Sequence, residues 1–289
     1  MIISVLQSMR PRQWTKNFFV FAGLLFTLDR YHPVTDYARV VLAFALFCIL
    51  SGSIYLLNDI RDAEQDRKHP VKCQRPIASG KLPQPAAWIA AQLLLLVGLA
   101  GSFSLDLGFA VTAALYASLL TAYSLFLRDV VILDVMTIAA GFVLRAAAGA
   151  AVIHVTISPW LLMCTVLLAL FLALAKRRQE LLRLEEHASG HRSSLEHYSV
   201  PFLDQLINIT AASSIIAYAL YTFFSQTGSQ HPYMMATLPF VIYGIFRYLF
   251  LIHKNAATDS PELLLLADKP LLIDIVLWAV ACALIVVVR

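Results

Sequence analysis

Long apolar runs alternate with short charged stretches along the whole chain. Nine of these runs are close to the roughly 20 residues that an α-helix needs to cross a bilayer. The pattern therefore predicts membrane-spanning helices near residues 16–31, 37–57, 85–104, 108–127, 130–153, 158–176, 203–226, 233–252 and 271–288. We expect an all-α polytopic membrane protein that forms one integral-membrane domain over residues 1–289.

The composition agrees with this interpretation. Of the 289 residues, 60% are hydrophobic and 14% are charged, and the mean hydropathy is +0.73. Soluble domains contain about 45–50% apolar and about 25% charged residues, so a soluble globular protein is excluded. No small-residue cleavage site follows the first apolar run, which predicts a retained helix rather than a signal peptide.

The lysines and arginines predict the orientation in the membrane. If the amino terminus is cytoplasmic, 18 of the 22 lie in cytoplasmic segments or at their helix ends. Such a bias indicates a multi-pass protein of the inner (cytoplasmic) membrane, with its charged face and active site on the cytoplasmic side. The net charge of +4 on this face would attract membrane lipids and phosphorylated substrates, and we expect no nucleic acid partner.

Two connections are much longer than the others. The first long segment (58–84) follows the second predicted span, and the second long segment (176–202) follows the sixth. Both are cytoplasmic in the predicted topology and both are rich in charge. Long connections in compact folds are typically functional or disordered, and the apolar residues interleaved here favour ordered structure.

The first long segment opens with a series of carboxylates. Asp59, Asp62 and Asp66 are three and four residues apart, so a helix would place them on one face together with Asn58. Stacked carboxylates need a neutralising cation, and hard oxygen ligands suit Mg²⁺ bound to a substrate phosphate. These aspartates are therefore the candidate catalytic and metal-binding residues. The alternative is an acidic, solvated helix end.

Basic residues follow the aspartates closely. Arg67, Lys72 and Arg75 lie within the next ten positions. Carboxylates followed by cations are the arrangement that a Mg²⁺-diphosphate requires, because the metal bridges oxygens and arginines bind the remaining charge. We predict substrate binding here, although the general excess of cytoplasmic cations would also explain some of these residues.

The second long segment is different in kind. Lys176, Arg177 and Arg178 are consecutive, and Glu180 lies one turn after Lys176. Three adjacent cations suit a phosphate better than a second metal. Tyr198 could add a phenolic hydrogen bond. The alternatives are a positive-inside stop signal for the cations and an ordinary interfacial tyrosine.

Two ionisable residues lie inside the fifth predicted span. Asp134 and Arg145 are eleven residues apart, or about three helical turns, so direct contact between them is not expected. Charged residues within spans typically face a substrate path or pair internally, and Arg145 facing a phosphate is the sharper hypothesis. Gly141 and Gly149, one turn on either side of Arg145, would permit close helix packing.

The amino-terminal tail contains a further candidate. Lys16 ends the sequence Arg10-Pro11-Arg12-Gln13-Trp14-Thr15-Lys16, which is typical of an interfacial helix start. Membrane anchoring and a direct contact with a phosphate are both consistent with it. The four cysteines have no CxxC spacing, so we predict neither a redox site nor a metal site from them.

Taken together, the motif Asn58-Asp59-x-x-Asp62-x-x-x-Asp66 after the second span resembles the first aspartate-rich motif of the UbiA superfamily of intramembrane prenyltransferases. The resemblance covers essentially the whole chain. It implies a bundle of nine transmembrane helices around a central cavity that opens to the cytoplasm. The second long segment reads Lys176-Arg177-x-x-Glu180, where prenyltransferases usually carry another aspartate motif.

The sequence is more similar to the phosphoribosyl branch of this superfamily. Arg10 to Asn17, Asn58 to Pro76, Gly141 to Ala146 and Lys176 to Glu180 carry the likeness. It implies Mg²⁺-dependent transfer of 5-phosphoribose from 5-phosphoribosyl 1-diphosphate to a polyprenyl phosphate. Prenyl transfer to an aromatic or other acceptor is the alternative, and a transporter would be a different class. The sequence leaves open whether copies associate, for example as a trimer.

Overall fold

The computed structural model describes residues 1–28, 30–69, 71–186, 195, 197–254 and 267–287, with the backbone alone for 183–186. These residues are almost entirely helical and contain no strand. The α-helices are α1 (Ile2–Ser8), α2 (Ala22–Leu25), α3 (Val34–Arg61), α4 (Ala63–Lys68), α5 (Gln84–Leu105), α6 (Leu107–Leu125), α7 (Leu133–Val152), α8 (Pro159–Glu186), α9 (Val200–Phe224), α10 (Gln226–Gln230), α11 (Leu238–Lys254) and α12 (Lys269–Val287).

Eight helical segments in the described ranges are long and apolar enough to cross a membrane. They correspond to the second to ninth predicted spans, and the residues that they expose to the outside are largely leucine, isoleucine, valine and phenylalanine. A soluble surface of this kind would be unstable in water, whereas lipid tails accept it. The chain is therefore a multi-pass membrane protein.

The first predicted span has a different structure, so the predicted count of nine is not confirmed. Residues Pro11–Phe21 form a 3-10 helix that continues into α2, and the helical run ends at Leu25 rather than near residue 31. At roughly 2.0 Å per residue in the 3-10 part and 1.5 Å in the α part, the run is about 28 Å long. Its aromatic and β-branched residues are weak α-helix formers, which is consistent with the tighter winding.

Helix α7 lies at the centre of the bundle. Its buried residues contribute to two large apolar clusters, one shared with the first helical run, α3 and α6, and the other shared with α8, α9, α11 and α12. A smaller third cluster joins Ala139 and Phe142 of α7 to Ala169 of α8. Gly149 permits the closest approach, because a Cβ atom added there would lie 1.8 Å from the carbonyl oxygen of Val20. The 3-10 helix thus packs directly against α7, one turn away from Arg145.

Helices continue into both long segments. Helix α3 continues to Arg61, and α8 continues to Glu186, ten residues beyond the predicted end of the sixth span. Residues 176–186 contain good helix formers and neither glycine nor proline, so nothing in the sequence stops the helix at the membrane surface. The prediction of ordered structure is confirmed for this part of the second long segment.

Candidate active site

Two of the three predicted aspartates converge on one guanidinium group. Nη1 of Arg75 donates to Oδ2 of Asp66 at 2.6 Å and to Oδ1 of Asp59 at 3.2 Å. Both carboxylates are buried, with 3% and 4% of the residue exposed. The chain following α4 folds back toward the end of α3, and this places Arg75 between the two acids.

Arg10 provides a second cation to the same site. Its Nη2 bonds Oδ1 of Asp59, and its guanidinium lies 5.0 Å from the centre of the Tyr55 ring. Arg10 has φ +53°, which places it in the left-handed region between α1 and the 3-10 helix. A non-glycine residue in this region costs about 1–2 kcal/mol, so the surrounding contacts hold Arg10 in a strained position.

Asp62 has a separate partner. Both of its oxygens lie 2.9 Å from the guanidinium of Arg128, which belongs to the short 3-10 helix Leu127–Asp129 after α6. Burial works against the charged form of Arg128, but the hydrogen bond and charge of Asp62 outweigh it and raise the pKa of Arg128. Asp62 also has φ −89° and ψ 1°, so the predicted continuous helical face is interrupted there.

Asn58 gives the test of whether these residues suit Mg²⁺. Its side-chain oxygen is buried and has no hydrogen-bond partner in the described ranges. This free acceptor is adjacent in sequence to Asp59, whose carboxylate meets that of Asp66 at Arg75. Within those ranges no group of three acidic, histidine or cysteine residues is assembled as a metal site. Two carboxylates and a carbonyl oxygen nevertheless suit Mg²⁺, which takes one or two carboxylates plus substrate phosphates.

The other cations of the first long segment lie at its surface. Arg67 and Lys72 are both exposed, on α4 and at the start of the following 3-10 turn. Burial, and next the charge of Lys72, lower the pKa of His69, which also senses Asp66 and Arg75. Lys72 thus lies near His69, and both Arg67 and Lys72 are exposed to solvent.

Arg177 is the most deeply engaged cation of the second long segment. It is 1% exposed, and its guanidinium bonds Oδ2 of Asp134 at 2.6 Å, the hydroxyl of Tyr123 at 2.9 Å and a carboxylate oxygen of Glu180. Arg178 bonds Asp204 at 2.5 Å. Two of the three consecutive cations that suggested an anion receptor are therefore paired with carboxylates of the protein itself.

Tyr198 closes the same network from the other end of the segment. Its hydroxyl donates to Oδ1 of Asp134 at 2.9 Å and accepts from the backbone N–H of Ile132 at 2.7 Å. Burial, together with the nearby Asp134 carboxylate, raises the pKa of Tyr198 to about 12. Asp134 thus holds Arg177 and Tyr198, while Lys176 is half-buried beside Arg177. Residues 187–194 and 196 lie outside the described residues.

The two long segments are brought to the same end of the bundle. Asp62 bonds Arg128, which lies just after the end of α6, five residues beyond Tyr123. Tyr123 in turn accepts from Arg177. The acidic and basic segments are therefore joined through the end of α6, as a single reaction site would require.

Arg145 lies deeper in the bundle. Its guanidinium donates to Oδ1 of Asn17 at 2.8 Å, to the carbonyl oxygen of Gly141 at 2.9 Å and to the hydroxyl of Tyr116 at 2.7 Å. Lys16 directly precedes Asn17 in the 3-10 helix. As expected, Asp134 and Arg145 do not contact each other.

Several residues of this site were not among the sequence-predicted candidates. Arg10, Asn17, Tyr116, Tyr123 and Arg128 all make contacts with candidate residues. Arg10 carried a signal, because it belongs to the charged tail that precedes an apolar run. Tyr116 and Tyr123 carried none, since tyrosines in apolar helices are common at membrane interfaces.

Comparison with known proteins gives consistent results. Residues 17–267 match the UbiA prenyltransferase family. The chain is 33% identical to the decaprenyl-phosphate phosphoribosyltransferase of Mycolicibacterium smegmatis, over 96% of this chain and 91% of that protein. It is 32% identical to the protein of the same name from Corynebacterium glutamicum, over 95% of this chain and 84% of that protein.

Solved structures support the same fold. A UbiA homologue from Archaeoglobus fulgidus bound to GPP and Mg²⁺ superposes with a TM-score of 0.75 and 16% identity, over 99% of this chain and 100% of that chain. A structure of digeranylgeranylglyceryl phosphate synthase gives 0.67 and 19%, over 99% and 98%. At these identities the likeness concerns the fold, and it confirms the expected UbiA-like architecture.

Proposed function

Because the chain belongs to the UbiA prenyltransferase family, we propose that it transfers 5-phosphoribose from 5-phosphoribosyl 1-diphosphate to a polyprenyl phosphate of the decaprenyl type. The products are polyprenyl-phosphoryl-5-phosphoribose and diphosphate. The observation that carries this proposal is the convergence of Asp59 and Asp66 on Arg75, with Arg10 beside them. The names of the relatives that are 32–33% identical over nearly the whole chain support the choice of substrates.

Asp59, Asp62 and Asp66 would hold Mg²⁺, and the free oxygen of Asn58 adds a neutral ligand beside them. When bound, the metal neutralises the diphosphate and improves it as a leaving group. Asp59 and Asp66 are already close together, and Asp62 would join them only by giving up part of its contact with Arg128. The pair of Asp59 and Asp66 is therefore the core of the proposed donor site.

Arg10 and Arg75 would bind the diphosphate as its charge develops. The bond between ribose C1 and the diphosphate oxygen breaks, and the electron pair leaves with the diphosphate. A phosphate oxygen of the lipid forms the new bond to C1 from the opposite face. This oxygen is already ionised at neutral pH, so no general base is required. Lys72, Lys176 and Arg67 remain candidates for contacts with the outer phosphate oxygens.

The proposed acceptor would enter beside the second long segment. Arg177, Glu180 and Tyr198 would form the wall of this part of the site. Arg177 bonds Asp134, Tyr123 and Glu180, and Tyr198 bonds Asp134, which supports a fixed shape for this wall. We place this end of the bundle on the cytoplasmic side of the inner membrane, because most lysines and arginines lie there. The polyprenyl tail would remain in the bilayer, since moving it through water would be prohibitive.

The test is an assay of the purified full chain with labelled 5-phosphoribosyl 1-diphosphate, a polyprenyl phosphate and Mg²⁺. We expect a lipid-linked phosphoribose from the wild type and a loss of at least about 100-fold in Asp66→Asn, a loss within the range for removing one electrostatic stabiliser of the transition state. Asp36→Asn is the matched control, because Asp36 lies at the opposite end of α3 and contacts His32. Transfer from a prenyl diphosphate instead would replace this proposal with the prenyltransferase alternative.

A further inference from the structure

Arg145 is a buried cation without a carboxylate partner. Three arginines are buried in the described ranges, and two of them, Arg177 and Arg178, bond carboxylates at 2.6 and 2.5 Å. Arg145 is 5% exposed and bonds only neutral oxygens, those of Asn17, Gly141 and Tyr116. An uncompensated charge inside a membrane protein is costly, so a binding site for an anion is the physical interpretation.

The position of Arg145 is fixed relative to the diphosphate end of the site. Ser51, Tyr55 and Asp59 are four residues apart on one face of α3. The Asn17 side chain, which accepts from Arg145, donates to Ser51 at 3.4 Å. Ser51 and Asp59 are eight residues apart, or about 12 Å along the helix axis. Arg145 therefore lies below the paired carboxylates, deeper in the bundle.

Polar and cationic side chains lie between the paired carboxylates and Arg145. The Tyr55 ring lies under Arg10, which bonds Asp59. Tyr55 lies between Ser51 and Asp59 on α3, and Lys16 directly precedes Asn17, the residue that Arg145 bonds. A strip of polar groups thus leads from the carboxylates down to a second cationic centre formed by Arg145 and Lys16.

We propose that Arg145 and Lys16 bind the 5-phosphate of the sugar donor while its diphosphate lies at Asp59 and Asp66. This inference rests on the proposed function. The donor carries anions on both sides of one ribose ring, and the strip offers cationic groups at both of its ends. A lipid phosphate has the same phosphomonoester chemistry, but an acceptor at Arg145 would lie farther from the second long segment. A prenyl diphosphate would place an apolar group against the buried charge, so Arg145 also selects against it.

Binding of two probes tests the assignment in the full chain, reconstituted in lipid nanodiscs. With Mg²⁺ present, we expect Arg145→Gln to weaken the binding of 5-phosphoribosyl 1-diphosphate by about 10- to 100-fold. This is the range for one lost charge-assisted hydrogen bond. The affinity for inorganic diphosphate, which lacks the 5-phosphate, should change by less than about threefold because its contacts remain. Arg145→Lys should retain part of the donor affinity. Arg247→Gln is the control, since Arg247 pairs with Asp268 near the surface.

Three outcomes would overturn the assignment. The first is an equal loss for both probes, and the second is no loss for either. The third is a rise in the KM for polyprenyl phosphate with an unchanged KM for the donor, which would assign the subsite to the lipid. If Arg145→Gln does not fold, ribose 5-phosphate on the wild type decides: we expect competition with the donor and none from ribose. Absence of phosphoribosyl transfer by the wild type would instead reject the proposed function itself.

Discussion

Arg128 and Asp62 form a two-pronged ion pair, in which two guanidinium nitrogens lie 2.9 Å from the two carboxylate oxygens. The pair connects the turn between α3 and α4 to the segment between α6 and α7. It is largely shielded, with 11% of the Arg128 side chain and 20% of the Asp62 side chain exposed. Such geometry supports a larger contribution to stability than a typical surface pair makes.

Arg128→Gln should therefore lower the stability of the protein. The remaining Asp62 carboxylate would lose its charge partner, and we expect a loss of about 1–3 kcal/mol in the free energy of unfolding. Thermal unfolding of the purified protein measures this. Arg61→Gln is the matched control, because Arg61 lies 3.7 Å from Asp129 and both side chains are over a third exposed. Equal effects of the two substitutions would contradict the prediction.

The pair of Asp134 and Arg177 should be strongly coupled. Both residues are almost fully buried, and breaking a buried pair costs about 3–5 kcal/mol because one charge is left uncompensated. We expect Asp134→Asn and Arg177→Met each to destabilise the protein, and the double variant to be less unstable than the sum. A double-mutant cycle from thermal unfolding measures the coupling energy. Additive effects would show that Glu180 and Tyr123 compensate Arg177 fully.

Tyr198 should make stability fall at alkaline pH. Because the folded protein raises the pKa of this hydroxyl to about 12, the unfolded chain releases the proton first, from about pH 10. The contribution is therefore complete below pH 10 and is lost as the pH rises toward 12. Tyr198→Phe should lack this part of the decline when unfolding is followed between pH 9 and 11.5. If stability falls equally steeply with pH in Tyr198→Phe, the assignment is refuted. It is also refuted if the substitution changes the pH dependence of stability near neutral pH.

Gly149→Ala should disrupt the packing of the 3-10 helix on α7. The added methyl group would lie 1.8 Å from the carbonyl oxygen of Val20, so the two backbones would have to separate. We expect a lower unfolding temperature and a weaker affinity for the donor, because Asn17 and Arg145 are one turn away. Gly141→Ala is the comparison on the same helix. Its methyl group would lie 3.3 Å from a flexible end of Leu120 and in ordinary contact with Arg145 at 3.5 Å and Tyr116 at 3.8 Å, so no backbone would have to move. Similar losses for both variants would argue against this role.

Arg75→Gln should raise the affinity for a metal ion and lower the affinity for the donor. Arg75 bonds the same carboxylates that would hold the metal. Removing its positive charge therefore removes a competitor of the metal for these carboxylates. We expect Mn²⁺ to bind the substrate-free variant at least about threefold more tightly, because a repulsive charge has been removed. The KM for the donor should rise, since one diphosphate contact is lost. Weaker Mn²⁺ binding by Arg75→Gln would contradict this account.

The sequence predicted the architecture well because lipid imposes a simple rule on it. Apolar runs of about 20 residues can form only helices in a bilayer, and eight of the nine predicted spans have counterparts within a few residues at most ends. The first predicted span is not among these eight. Most of its helical run is a 3-10 helix, which hydropathy does not distinguish from an α-helix. The extension of α8 to Glu186 was also missed, since a polar helix leaving the membrane has no hydropathy signal.

The candidate site was predictable by residue type but not by partner. The spacing of Asp59 and Asp66 indicated a shared function, and the structure joins them through Arg75. The cations near Arg177 looked like an anion receptor, but Asp134 from a distant helix occupies Arg177. Pairings between residues 43 positions apart depend on helix packing, which one sequence does not reveal.

Asp134 contacts two described parts of the second long segment. One of its oxygens accepts from Arg177 near the start of that segment and the other from Tyr198 near its end. Arg177 and Tyr198 are thus both bonded to a single carboxylate on the central helix α7. Because this one carboxylate orients both side chains, its replacement would disturb the two parts of the segment at once.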